Sequence, residues 1–335
     1  MDIFPTPAPL AVSIGDPAGI GPEIVAAAWA ARRSERLPAF FAIGDRRALE
    51  AVWDGPIITL GAPGEAAAAF DDGLPLVQVD DPGEIIPGDP NLAGARCALD
   101  SLEIAVGLAR NGFAGGIVTG PVSKAQLYAI GFNYPGQTEF VAERCGISAS
   151  NAVMMLAGPT LRTVPITVHL PLADVPRLLT VDLIVAKSRI TARALMRDYG
   201  IERPRLAFAG LNPHAGESGT LGREEAEIIR PAVEALQAED INVHGPLAAD
   251  SMFHAPARRH YDAAMCMYHD QALIPLKTLH FDDGVNVTLG LPIVRTSPDH
   301  GTAFGIAGKG LANPRAMIEA IRMAGQCAAR RLTSG

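Results

Sequence analysis

The chain has 335 residues, 48% of them hydrophobic and 19% charged, with a formal net charge of −8. That is the composition of a globular protein long enough for two domains, or for one large α/β unit with a deep cleft. The acidic balance excludes general nucleic-acid binding, which needs a basic face, and an anionic substrate would have to be drawn in by a local cationic pocket.

No apolar run approaches the roughly 20 residues of a membrane span. The first residues, MDIFPTPAPLAVSIGDP, lack a basic stretch followed by a long apolar core, so no signal peptide is expected and the location expected is the cytoplasm. Cys97, Cys145, Cys266 and Cys327 show neither a CxxC pairing nor a metal-finger spacing, and read as buried free thiols in a reducing compartment.

In chain order, Leu10 to Ile14 reads as a strand running into Gly15-Asp16-Pro17-Ala18-Gly19-Ile20-Gly21-Pro22-Glu23. The glycines permit a tight turn or a close approach to a ligand, and Pro22-Glu23 suits the first turn of a helix. The spacing is not GxGxxG, so it is no dinucleotide fingerprint. Structural turn and cleft lining are equally open readings. Strands are expected at Ala39 to Gly44 and Ile57 to Leu60, and helices at Arg46 to Val52 and Ala93 to Arg110. This alternation predicts an α/β fold with parallel sheet components.

Gly116 to Lys124 is again strand, glycine turn and helix start, with Lys124 either meeting an anion or solvated. Tyr134 to Phe140 opens another helix, with Thr138 as its expected N-cap and its amides suited to an anion. Val164 to Leu170 reads as a strand carrying His169 at its end. Thr180 caps an amphipathic helix with Leu183, Ile184, Ile190, Leu195 and Met196 on its apolar side and Gly200 as its stop. Leu206 to Ala209 is a strand leading into Gly210 to Glu217, which contains His214; Gly219 to Glu227 leads into a helix through Leu236. From about Pro314 the chain ends in a helix. No linker marks a domain boundary, so residues 1–335 are expected to form one two-lobed unit whose lobes interleave in sequence.

Ala263 to Gly310 is the densest stretch chemically. Ala263 to Tyr268 reads as a buried strand with His269 and Asp270 at its C-terminal end, where open α/β sheets hold ligands. Lys277, Asn286, Arg295 and the small-residue segment His300-Gly301-Thr302-Ala303 follow. His169, His214 and His269 share one context, each following an apolar strand-like run. Their spacings of 45 and 55 residues carry no metal signature, but neighbouring strand ends would bring them together. Three imidazoles with open positions suit a transition ion acting as a Lewis acid, with Asp270 beside it as proton acceptor or supporting partner. Each of the three also reads as an ordinary structural histidine, as do His244, His254, His260 and His280.

The segments GDPAGIGPE, TGPVSK, PGQTE, HLPL, NPHAGE, GPLAADSMF, YHDQALIPLK and GVNVTLGLPIVRTSPDHGTAFGIAGKG lie in order from about residue 10 to residue 325. Together they resemble the 4-hydroxythreonine-4-phosphate dehydrogenase family of vitamin B6 synthesis. The tail HGTAFGIAGKGLANP also resembles the isopropylmalate dehydrogenases, where that stretch borders the adenine end of NAD. The resemblance implies a two-lobed isocitrate/isopropylmalate dehydrogenase-like α/β fold, with central mixed sheets and a cleft between the lobes. It also implies a homodimer sharing its metal site, NAD or NADP, and a divalent ion (zinc, magnesium or cobalt).

Carried over by position, it implies metal ligands at His169, His214 and His269. Substrate contacts fall at Gln137, Thr138, Lys277, Asn286 and Arg295, with Asp270 and Lys277 catalytic. Cofactor contacts fall at His300, Gly301, Thr302, Ala303 and Asn313. One position departs: the family usually has histidine where this chain has Gln137, which bonds an oxygen but carries no charge. The implied reaction is metal-assisted hydride transfer from 4-phosphohydroxy-L-threonine followed by decarboxylation to 3-amino-2-oxopropyl phosphate. Sister activities act on a dihydrodiol dicarboxylate or a four-carbon sugar-acid phosphate. A metal-dependent aldolase or hydrolase would use the same histidines without NAD, and a catalytically silent binding protein of the same fold is the remaining rival.

Overall fold

The computed structural model describes residues 7–81 and 83–333. Its strands in chain order are β1 (Leu10–Ser13), β2 (Phe40–Gly44), β3 (Ile57–Thr59), β4 (Leu74–Gln78), β5 (Ile117–Thr119), β6 (Val153–Gly158), β7 (Leu161–Pro165), β8 (Leu206–Ala209), β9 (Val243–Leu247), β10 (Ala263–Cys266), β11 (Val285–Leu289) and β12 (Arg295–Pro298). The chain forms two compact units, one of Met1–Ala149 with Leu291–Gly335 and one of Ser150–Gly290.

In the first unit the strand order is β3-β4-β2-β1-β5-β12, every pair parallel. A parallel sheet covered by helices on both faces demands unbroken apolar strands, and β1 (LAVS) and β2 (FFAIG) are buried at every position. Helices Gly21–Ala30, Leu92–Arg110 and Arg315–Thr333 belong to this unit, and the Asn91 side chain caps the second by accepting from Gly94 N at 2.7 Å. The strand order reverses between β1 and β5. In open α/β sheets ligands bind outside the carboxyl ends at such a point, and here those ends are the GDPAGIGPE and TGPVSK loops.

In the second unit the order is β11-β6-β7-β10-β8-β9. β11 and β7 run antiparallel to β6, whereas β7, β10, β8 and β9 are parallel, so this sheet is mixed. Its core includes Leu156, Leu161, Ala207, Tyr261, Cys266 and Leu276. The helix Val181–Tyr199 starts where Thr180 Oγ1 accepts from Leu183 N at 3.1 Å and ends at Gly200 with φ 67°.

Several expectations need correction. The strand expected over Val164 to Leu170 is Leu161–Pro165, and that over Ala263 to Tyr268 is Ala263–Cys266. β7 and β10 pair with each other, so when β10 turns into the helix His269–Leu279 the ladder ends for both. The helix expected to be capped by Thr138 is Gln137–Arg144 with Gly136 at the cap position, so Thr138 sits in its first turn. Met196 is 49% exposed rather than core, and Cys145 is half-buried while the other three thiols are buried. Strands β4, β6, β9, β11 and β12 were not anticipated. Among the described residues no helix is long and apolar enough to cross a membrane.

Candidate active site

In the first unit polar side chains gather at the carboxyl ends of β1 and β5, and Arg295 reaches them from the start of β12. Gly15, with φ 75°, presses against the β5 loop so closely that a Cβ would lie 2.2 Å from Pro121 O. Only glycine fits there. The glycine at the start of the GDPAGIGPE turn thus has a structural reason, and the turn's later residues touch the segment after β12, since Ile20 N donates to Thr302 O at 3.0 Å. Asp16 inside the turn is 1% exposed, and burial pushes its carboxyl up to about 6; the Ala18 N–H opposes this and Asp81 adds to it.

Arg295, first residue of β12, is 4% exposed. Its Nη2 donates to Thr119 Oγ1 at 2.9 Å and its Nη1 to Thr138 Oγ1 at 3.4 Å. Burial lowers the guanidinium to about 10, with Glu139 opposing, so it stays cationic at neutral pH. Beside it, Gln137 Nε2 donates to Gly120 O at 3.1 Å, while Gln137 Oε1 is buried and takes no hydrogen bond. A carbonyl can only accept, so this contact fixes which end of the amide faces Gly120. Lys124 approaches the same helix start: a Cβ built on Gly136 would lie 3.9 Å from its Nζ. A guanidinium, an ammonium, hydroxyls and helix N-terminal amides make an anion-binding surface.

The segment after β12 contains the residues expected from the sequence as cofactor contacts. His300 Nδ1 lies 3.1 Å from Gly301 O, Ala303 is held at φ 44°, and Asn313 Oδ1 accepts from Arg315 N at 3.0 Å. Glu23 accepts from Gly308 N and Ala312 N at 3.2 and 3.4 Å, holding the strip in place. Nothing lies within 4 Å of a Cβ built at Gly301, Gly305 or Gly310.

In the second unit the three histidines follow three adjoining strands. β7, β10 and β8 are neighbours and parallel, and His169, His269 and His214 lie beyond their respective carboxyl ends. Cross-links hold these ends together. Thr167 Oγ1 donates to Met267 O at 2.8 Å; Gln271, 9% exposed, accepts from Met267 N at 2.7 Å and donates to Gly210 O at 2.8 Å. Nothing in the sequence marks Gln271, because an amide in a helix's first turn does not show that it bridges two strand ends.

The rings of His169 and His269 lie 5.6 Å apart, and Nδ1 of His269 meets Asp270 Oδ1 at 2.7 Å. That carboxylate orients the ring and leaves Nε2 as the outward lone pair, an arrangement suited to a metal-binding imidazole. His169 and His214 both take φ 53°, in the left-handed region that L-residues rarely adopt. Among the described residues no three His, Cys, Asp or Glu side chains converge as a closed cluster. The structure thus brings His169 and His269 together and leaves His214 outside that pair. The nitrogen donors fit a divalent transition ion.

Asp270 and Lys277, seven residues apart on the helix His269–Leu279, line one open pocket with Leu273, Ile274 and Thr278. Asn286, on β11, has its Oδ1 buried without a hydrogen bond. His280 is structural as expected, since it contacts Thr160 Oγ1 at 2.8 Å and Asp283 at 3.1 Å.

The family model described as pyridoxal phosphate biosynthetic protein PdxA matches residues 36–324. The chain belongs to this family. It is 55% identical over 323 residues to the 4-hydroxythreonine-4-phosphate dehydrogenase of Zymomonas mobilis subsp. mobilis, covering 96% of each chain. With the protein of that name from Erythrobacter litoralis it shares 56% identity over 328 residues, 96% of this chain and 97% of that one. Among solved structures, the 4-hydroxythreonine-4-phosphate dehydrogenase of Klebsiella pneumoniae superposes with a TM-score of 0.86 at 35% identity, covering 96% of this chain and 98% of that one. A terephthalate 1,2-cis-dihydrodiol dehydrogenase from Burkholderia xenovorans gives a TM-score of 0.66 at 29% identity, covering 95% and 98%.

Proposed function

We infer that the protein oxidises 4-phosphohydroxy-L-threonine with NAD(P)⁺ and releases CO₂ to leave 3-amino-2-oxopropyl phosphate, a step of pyridoxal phosphate biosynthesis in the cytoplasm. The observation that carries this reading is the 55% identity, over 96% of each chain, to a 4-hydroxythreonine-4-phosphate dehydrogenase. The three imidazoles at adjoining strand ends support it.

The chemistry assigns a divalent ion, Zn²⁺, Mg²⁺ or Co²⁺, to His169, His214 and His269. A homodimer that lends one imidazole to the other protomer's pair accounts for His214 standing apart from the other two. When bound, the ion supplies Lewis acidity toward the substrate's secondary hydroxyl. Asp270 takes the hydroxyl proton on a carboxylate oxygen while it holds the His269 ring. Bound NAD(P)⁺ would supply the acceptor for the hydride of the carbinol carbon, and the resulting β-keto acid would lose CO₂. Lys277, in the pocket with Asp270, and Asn286 hold the carboxylate and amino end. Thr138, Gln137 and Arg295 hold the phosphate, and the strip carrying His300, Gly301, Thr302, Ala303 and Asn313 receives the adenosine of NAD(P).

Gln137 favours keeping a second reading, in which the natural substrate is a dihydrodiol dicarboxylate or a four-carbon sugar-acid phosphate. The test is NADH formation by purified protein with 4-phosphohydroxy-L-threonine and each ion in turn. Turnover supports the first reading. Turnover of a dihydrodiol or sugar-acid phosphate alone supports the second, and silence with all of them returns the aldolase reading.

A further inference from the structure

His214 lies in a backbone that should not persist unaided. From His214 to Ser218 the φ values are 53°, 51°, 77°, 43° and 59°, a complete left-handed turn in which only Gly216 is glycine. Residues other than glycine are strained in the left-handed region, so a neighbour must impose the turn. Glu225 is that neighbour.

Its carboxylate, 3% exposed, sits beneath the turn. Oε1 accepts from Asn212 N at 2.7 Å and Oε2 from Asn212 Nδ2 at 3.0 Å, so both oxygens hold the residue that enters the turn. Glu224 accepts the same amide's other hydrogen at 2.7 Å. The turn closes onto Glu225 without slack: a Cβ at Gly216 would lie 2.5 Å from Oε2, and one at Gly210 would lie 3.2 Å from Oε1. Glu225 itself begins a π-helical turn, Glu225–Ile229, which leads into the helix Arg230–Ala238. π-turns are rare and recur at functional sites; here a buried carboxylate stands at the start of one, bonded to the turn.

We propose that Glu225 is a positioning residue for metal binding: by clamping Asn212 it imposes the left-handed turn that presents the His214 imidazole. This rests on the assignment of His214 as a ligand. Neutral glutamine at this position cannot replace it, because its amide would turn a donor toward a donor of Asn212.

The test is Co²⁺ binding, measured by competition with a chromophoric chelator and by the visible spectrum of the bound ion, in the wild type and in Glu225→Gln, His214→Ala and the double variant. Losing a group that orients a ligand costs about 10–100-fold in metal affinity. Glu225→Gln is expected to weaken Co²⁺ binding by that factor, to shift the spectrum, and to have no further effect once His214 is alanine. Wild-type affinity in Glu225→Gln, or an undiminished effect in the His214→Ala background, overturns the proposal. If His214→Ala itself binds Co²⁺ normally, the ligand assignment falls instead. Asn212→Ala, which keeps the backbone bond and removes the side-chain one, repeats the test with a smaller expected loss should Glu225→Gln not fold.

Discussion

The Asp270 carboxylate lies 2.7 Å from Nδ1 of its chain neighbour His269, at the first turn of the helix that follows β10. Adjacent helical residues normally diverge, and this pair meets because the helix begins at His269, where the backbone is still leaving its extended conformation. In the function proposed above, that one carboxylate has two tasks, fixing the imidazole and accepting a proton. Asp270→Asn keeps an acceptor for the ring and loses the base. It is expected to lower kcat by about 10²–10⁴-fold while Co²⁺ affinity changes by less than tenfold; a parallel loss of both in kinetics and metal titration would assign Asp270 to orientation alone.

Gln137 stands where the resemblance implies a histidine. Its amide cannot titrate, so the KM for a phosphorylated substrate should show no step attributable to this side chain between pH 5.5 and 7.5. Gln137→His is expected to introduce one, with KM lowest where an imidazolium faces the phosphate, below the ordinary histidine pKa of about 6.5. Steady-state KM across that range for both proteins checks this.

Arg295 is buried against two threonine hydroxyls, at 2.9 and 3.4 Å. Arg295→Met fills the space and removes the charge-assisted donors. An expected rise of about 10²-fold in KM for the phosphorylated substrate follows from losing bonds of roughly 1.5–3 kcal/mol. The unphosphorylated 4-hydroxythreonine should change far less, and equal effects on the two substrates would move Arg295 out of the phosphate site.

Asp16 is nearly inaccessible and its carboxyl is pushed up to about 6 by burial. A carboxyl whose pKa is higher folded than unfolded holds its proton better in the folded state. It costs nothing below the unfolded value near 3.8, and its destabilisation grows between there and about 6 and stays constant above. Asp16→Asn keeps an acceptor for Ala18 N and removes the buried charge. It is expected to gain at most about 3 kcal/mol at pH 7.5, with the gain vanishing toward pH 4. Urea denaturation at the two pH values measures it, and a gain independent of pH would deny the assigned cause.

What the sequence alone determined is what local chemistry determines. Apolar runs such as FFAIG read as buried strands, Thr180 and Gly200 bounded their helix as cap and stop, and the contiguous motifs carried the family. The histidines could be singled out because each ends an apolar run. Other features depend on groups far apart in the chain. Neither the strand order nor the reversal between β1 and β5 is encoded in any one segment, and β7 ends where its partner β10 ends, not where its own apolar run does. Gln271 and Glu225 look like ordinary helix residues until folding sets one amide between two strand ends and one carboxylate beneath a left-handed turn. Such polar groups are recognised by their partners, and the partners, Gly210 and Asn212, lie 61 and 13 residues away. Only the tertiary structure decides which donors a buried acceptor meets.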